Sequence, residues 1–140
     1  MKNTTYINNK FIDHNKAKIS VDDRGFLFAD SVYELINVSN KKIIDLDQHL
    51  NRLKVSLRKV KIKYKLNKKK YEEIINKLIK LNKIFNGYIY IQITRGVAER
   101  KHEFPNKYSP TTIIFTKHLK INKKIYEKGV KIITIPDIRW

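Results

Sequence analysis

Two stretches near the middle of the chain repeat apolar residues at helical spacing, and stretches that alternate apolar and polar residues lie on both sides of them. In "DLDQHLNRLKVSLRKV", Leu46, Leu50, Leu53, Leu57 and Val60 share one helical face. In "NKKKYEEIINKLIKLNKIF", Tyr71, Ile74, Ile75, Leu78 and Leu81 do the same. A helix buries one stripe and a strand one face, so strands, then two helices, then strands must share a core as layers. This order predicts an α+β fold, a mostly antiparallel sheet carrying two helices, in a single domain spanning residues 1–140.

Local signals fill in the elements. Asp45 stands at the N-cap position of the first helix, with Gln48 three residues later as in a capping box. Asn67 is the expected cap of the second, and Asn86-Gly87 its expected stop. "TTYINNKFID" reads as a hairpin turning at Asn8-Asn9. "AKISVDDRGF" reads as a short strand running into a polar turn with Gly25. "SVYELINVSNKKIIDL" reads as a long strand, a turn and a return strand. Its alternation puts Val32, Glu34, Ile36 and Val38 on one face, and Tyr33, Leu35 and Asn37 on the other. "GYIYIQITRG", "TTIIFTKHL" and "VKIITI" are expected to be strands, the last after the connector "INKKIYEKG".

The net charge is +18, from 31 Lys and Arg against 13 Asp and Glu. Such a balance suits a nucleic-acid or anionic-membrane partner. The distribution points instead to a compositional drift toward Lys, Asn, Ile and Tyr along the whole chain. The arginines are 24, 52, 58, 95, 100 and 139, and all other basic residues are lysines scattered over helix faces, strand ends and loops. A nucleic-acid binder concentrates arginine on one face, because its fork suits phosphate. The chain has no cysteine, which excludes disulfides, thiolate metal sites and cysteine nucleophiles. No apolar run approaches the roughly 18 residues of a membrane span. The opening "MKNTTYINNKF" has no apolar h-region, so a cytoplasmic location is expected.

Three places carry residues suited to chemistry. Arg52, in "QHLNRL", is either part of a solvated helix face or an arginine held at the core edge for a phosphate or carboxylate, with His49 one turn before it. In "TRGVAERKHEF", Arg95 ends a strand, and Arg100, Lys101 and His102 follow in a loop. That loop is either a basic surface or a carboxylate trap in which a guanidinium takes two oxygens and an imidazole adds a donor. Tyr33, in "SVYE", is either half-buried packing or a phenol facing a cleft. The histidines at 14, 49, 102 and 118 are dispersed, so no zinc-type metal cluster is expected. Phosphate-loop, dinucleotide and nucleophile-elbow motifs are absent. The pairs Asp22-Asp23 and Glu72-Glu73 read as structural.

Taken together, "DRGFLFADSVYE", "DQHLNRL", "ITRGVAERKHEFP" and "IPDIRW" resemble, in order and spacing, the class IV (fold-type IV) pyridoxal-phosphate aminotransferases. The Arg-x-His loop is similar to that of the D-amino-acid (D-alanine) aminotransferase branch. The resemblance covers essentially the whole chain, but only the N-terminal half of such an enzyme. It implies the family's small N-terminal domain over about residues 1–120, then the start of the connection to a C-terminal cofactor-binding domain that is absent here. It implies that Arg52 holds the 5′-phosphate of pyridoxal 5′-phosphate. Tyr33, Arg100 and His102 would grip the α-carboxylate of a D-amino acid or 2-oxo acid. The loop would reach the neighbouring subunit's site, so a homodimer is implied. Lys101 stands where a smaller residue is common, and Arg139 stands just before the family's lysine segment.

The Schiff-base lysine of the family falls beyond Trp140, and none of the lysines here has the matching context, so no catalytic residue is assigned. Without that lysine the chemistry has neither its covalent anchor nor its base. The expectation is a truncated D-amino-acid aminotransferase-like protein that is inactive alone. The alternatives are one half of a split transaminase completed by a separate C-terminal chain, and a basic nucleic-acid-binding module.

Overall fold

The structure is a computed structural model that describes residues 3–120 and 123–137. Strands β1 (Thr4–Ile7) and β2 (Lys10–Asp13) form the expected hairpin. Asn8 (φ 44°) and Asn9 (φ 71°) supply the two left-handed residues that a two-residue turn needs. The next segment departs from expectation. Residues 17–20 are not a strand, and Arg24–Phe28 forms a short helix, α1. Its cap explains it: buried Asp23 accepts from the Gly25 amide at 2.8 Å and from Thr111 Oγ1 at 2.6 Å.

Strand β3 (Ser31–Ser39) returns through Asn40 and Lys41, both at positive φ, into the two-residue β4 (Lys42–Ile43). With β5 (Gly87–Thr94) and β6 (Thr112–His118), these strands form one sheet in the order β2-β1-β6-β5-β3-β4, with every neighbouring pair antiparallel. The fold is α+β, as its sequence pattern implies.

Helices α2 (Leu46–Lys59) and α3 (Lys68–Leu81) cover one face of the sheet. Leu50, Leu53 and Leu57 of α2 and Tyr71, Ile74, Ile75 and Leu78 of α3 pack on Val32, Ile36, Ile89, Ile91, Ile93 and Ile114. Val60 and Leu81, at the ends of the two stripes, stay exposed because they lie at or past the last turns. The capping box on α2 does not form. Asp45 occupies the N-cap position at φ 51°, outside the extended backbone region a side-chain cap uses, and makes no capping bond. Asn67 does cap α3, accepting from the Lys70 amide at 3.0 Å.

The second helix stops at Leu81, well before Asn86-Gly87. Asn82 takes over as C-cap and fastens three elements. Its Oδ1 accepts from the Thr4 amide at 2.7 Å, and its Nδ2 donates to the Thr4 carbonyl and Thr116 Oγ1, each at 2.8 Å. Gly87 instead opens β5, where an added Cβ would collide with the Lys117 carbonyl oxygen. Asn82→Ala leaves these groups of β1 and β6 unpaired. It is expected to cost about 1–3 kcal/mol in urea unfolding.

Beyond β6 the chain runs through a short helix, α4 (Lys123–Lys128), into residues 129–137. "VKIITI" is not a strand. Val130, Ile132, Ile133 and Ile135 are exposed and pair with no strand among the described residues. Alternation specifies a face to bury, but a strand forms only where a partner edge is within reach. Arg139 and Trp140 lie outside the described residues. No helix among the described residues is long and apolar enough to cross a membrane.

Candidate functional site

Two of the candidate residues, Tyr33 and Arg52, lie at the first half of β3. The short β4 pairs only with Val38 and Ser39, and the Ile44 amide adds one bond to the Asn37 carbonyl. Residues 31–36 therefore form an open strand edge among the described residues. Alternation sends Glu34 to the helix side of that edge and Tyr33 to the bare side of the sheet.

On the helix side, α2 lays His49 and Arg52, one turn apart, over the Glu34 carboxylate. Arg52 Nε donates to Oε1 at 2.7 Å and Nη2 to Oε2 at 2.6 Å, a two-pronged pair. His49 Nδ1 lies 2.7 Å from Oε2. An ionised carboxylate only accepts, so Nδ1 carries the proton, and the 3.2 Å approach of Arg52 Nη2 to the same nitrogen is a by-product of sharing Oε2. Burial pushes the Glu34 carboxyl up. The hydrogen bonds and charges of Arg52 and His49 outweigh that and hold it below the usual carboxylate range. The same contact raises the Arg52 guanidinium. The Glu34 side chain is 3% exposed while that of Arg52 is 66% exposed. Two guanidinium nitrogens are thus fixed, and Nη1 has no hydrogen bond among the described residues.

On the bare side, Tyr33 is 63% exposed and stacks on Tyr90 at 5.6 Å. Tyr90 stacks on Phe115 at 4.9 Å, and His14 meets Phe115 edge-on. An aromatic file thus crosses the sheet, with the Tyr33 phenol at its outer end.

Arg100 and His102 are exposed in the loop after β5, and both meet Phe28 at the end of α1. The Arg100 guanidinium lies 5.5 Å from the Phe28 ring, and the His102 ring lies 5.5 Å from it. Lys101 turns outward and pairs with Glu99. Arg95, which the sequence places beside this trap, is not available to a ligand. It is buried against Asp30 through Nε at 2.7 Å and Nη2 at 3.0 Å.

One chain therefore joins Arg100 to His102 and joins Arg52 to Glu34. It leaves Tyr33 without contact to Arg100 or His102 among the described residues. Sequence reasoning assigned no role to Glu34, Phe28, Arg24 or Asp30. A lone carboxylate on an otherwise apolar strand face, with His and Arg three apart on the next helix, was the available signal for Glu34. No group of three or more metal-ligating side chains occurs among the described residues.

The fold agrees with what the chain resembles. Residues 31–140 match the family model of the class IV amino-transferases, and the chain belongs to that family. Within the family it is similar to the D-alanine aminotransferase of Staphylococcus haemolyticus. The two are 37% identical over 136 residues, 96% of this chain and 48% of that protein. Two solved structures agree on the fold. The branched-chain amino acid aminotransferase from Escherichia coli superposes with a TM-score of 0.80 at 20% identity, over 85% of this chain and 42% of that one. The branched-chain amino acid aminotransferase of T.th., solved with pyridoxamine 5′-phosphate, gives 0.78 at 19%, over 87% and 41%. The shared part is the small N-terminal domain of fold-type IV enzymes, a pyridoxal-phosphate-dependent family. The chain spans about half the length of the curated relatives it matches.

Proposed function

We propose that residues 1–140 supply the small-domain half of a D-amino-acid aminotransferase, which moves an amino group between a D-amino acid and a 2-oxo acid. The observation that carries this reading is the Glu34 clamp on Arg52. A buried carboxylate fixes two nitrogens of an exposed guanidinium, so its third nitrogen is oriented before any ligand arrives. An arginine fixed in this way suits the 5′-phosphate of pyridoxal phosphate, because less side-chain freedom is lost on binding. When bound, the cofactor supplies the electron sink for chemistry at the amino-acid α-carbon.

The remaining roles follow from chemistry and placement. Tyr33 donates its phenolic proton to the substrate carboxylate, and Arg100 and His102 add a fork and an imidazole donor. Because Tyr33 does not meet the other two within one chain, the trio is assembled by a second copy, whose loop crosses to the first copy's β3. No lysine here has the context of a Schiff-base lysine, so these 140 residues alone bind the cofactor weakly and turn over no substrate. The lysine-bearing domain, on this polypeptide or on another chain, would cover the exposed residues at 130–135. The +18 charge is read as compositional drift, with no specific nucleic-acid partner, and a cytoplasmic location is proposed.

The phosphate role has a direct test in side-chain NMR of arginine. Adding inorganic phosphate or pyridoxal phosphate is expected to shift the Arg52 guanidinium signals. Glu34→Gln should weaken that response about tenfold, since a hydrogen bond to a charged group is lost. An Arg52 signal that ignores both ligands at high concentration would remove the basis of the assignment.

A further inference from the structure

The loop carrying Arg100 and His102 spans residues 95–111 and contains no helix or regular strand. Its own internal restraints are few. The Lys101 amide donates to the Glu99 carbonyl at 2.8 Å, and the Lys101–Glu99 pair is exposed to solvent. Near its ends the loop is tied to Asp22, Arg24 and Lys63 by the Ala98 amide, the Gly96 carbonyl and the Tyr108 hydroxyl, and one further anchor reaches its Arg-x-His segment. Arg24 Nη1, from the first turn of α1, donates to the Lys101 carbonyl at 2.7 Å. That carbonyl belongs to the residue between Arg100 and His102.

Arg24 is 2% exposed and belongs to a buried ionic knot. Its Nε donates to Asp30 Oδ2 at 2.8 Å, the oxygen that also takes Arg95 Nε at 2.7 Å. Two guanidinium groups thus share one carboxylate, and the surplus positive charge needs other acceptors. Arg95 finds them at the C-terminal end of α2, donating to the Val60 carbonyl at 2.8 Å and the Lys61 carbonyl at 2.9 Å. Those carbonyls are at the negative end of the helix dipole. Arg24 is left with the loop. A desolvated guanidinium that loses an acceptor is costly, so the loop is held wherever it keeps the Lys101 carbonyl in place. The aromatic contacts add to this hold. Arg24 lies 4.6 Å from the Phe28 ring and 5.9 Å from that of Phe104, and Arg95 lies 4.0 Å from Phe104. Phe28 is also the ring that Arg100 and His102 touch.

We infer that Arg24 is a positioning residue. Fixed by Asp30 and sandwiched by Phe28 and Phe104, it grips the Lys101 carbonyl and so sets the orientation of Arg100 and His102. The hold on the loop stands on its own. Its use in gripping a carboxylate rests on the proposed role of those two residues.

The test is Arg24→Lys, which keeps a cation beside Asp30 but loses the planar fork that reaches two acceptors at once. The unliganded chain is used, so no outcome depends on cofactor or amino acid. Tryptic cleavage after Arg100 and Lys101, and amide exchange over residues 99–104, are expected to accelerate on the order of ten- to a hundredfold. The urea midpoint should move far less than loop opening does. Unchanged cleavage and exchange in a folded Arg24→Lys variant would overturn the inference. Should that variant not fold, the wild-type protein decides by NMR. Separate, slowly rotating Arg24 Nη signals beside averaged Arg100 signals support the hold, and averaged Arg24 signals contradict it. Failure of Arg100 and His102 to bind a carboxylate in an assembled enzyme would count against their proposed role, and leaves the loop measurements as they are.

Discussion

Replacing Asp30 with asparagine is expected to lower the stability of the domain by about 3–5 kcal/mol, the usual cost of breaking a buried ion pair from one side. Asp30 is the only carboxylate among the described residues that pairs with Arg24 and Arg95, and both guanidinium groups are buried. Asparagine keeps an acceptor oxygen but no charge, so two cations are left to repel each other out of water. Urea unfolding at neutral pH would read the loss as a lower midpoint with an unchanged slope. The pH dependence has a definite sign. Burial pushes the Asp30 carboxyl up, but the hydrogen bonds and charges of Arg95 and Arg24 outweigh it and hold it below the usual carboxylate range. A carboxyl lowered by folding contributes stability above its unfolded pKa of about 4, and that contribution is lost as pH falls through the folded value. Glu34 adds in the same direction. The wild-type protein should therefore lose stability progressively below about pH 4, and Asp30→Asn should flatten that decline.

Gly96→Ala is expected to cost about 2–4 kcal/mol, from left-handed backbone strain together with overpacking. Gly96 stands at φ 98°, where side chains are rarely accommodated, and an added Cβ would overlap the backbone carbonyl oxygen of Ser109. Backbone cannot swing aside as a flexible side chain does. The Gly96 carbonyl also accepts from the Arg24 amide at 2.9 Å, and its amide donates to Thr94 Oγ1 at 2.9 Å. The strain would therefore spread to both ends of the Arg100–His102 loop. Thermal unfolding reads the loss of stability, and amide exchange at residues 97–104 reads its spread. A melting temperature within a degree of wild type would show that the loop relaxes freely.

Elements whose cause lies within a few residues were legible in the sequence. Asn8-Asn9 supplies its own turn, β3 declares its two faces by alternation, and the stripes of α2 and α3 appear at helical spacing. Elements whose cause is distant were not. The five-residue α1 depends on Asp23, which is fixed by Thr111 from 88 positions away. Arg95 looks like any strand-end cation until Asp30 folds against it. The alternation of residues 130–135 is that of a strand, but alternation carries no information about a partner edge. The candidate site divides in the same way. Tyr33, Arg52, Arg100 and His102 stand out by residue type and placement, and the roles proposed for them come from a resemblance of motifs. Glu34, which orients Arg52, and Phe28, which meets both Arg100 and His102, emerge only from contacts across the fold.

On the proposed function, these 140 residues hold one half of a transaminase site, without the lysine-bearing half that does the covalent chemistry. The most direct measurement mixes the purified chain with pyridoxal phosphate, D-alanine and a 2-oxo acid, and follows both the visible absorbance and the transfer of the amino group. The expected result is no turnover, and no absorbance band that disappears when a single lysine is replaced. A stable band that depends on one lysine, together with turnover of D-alanine, would contradict it.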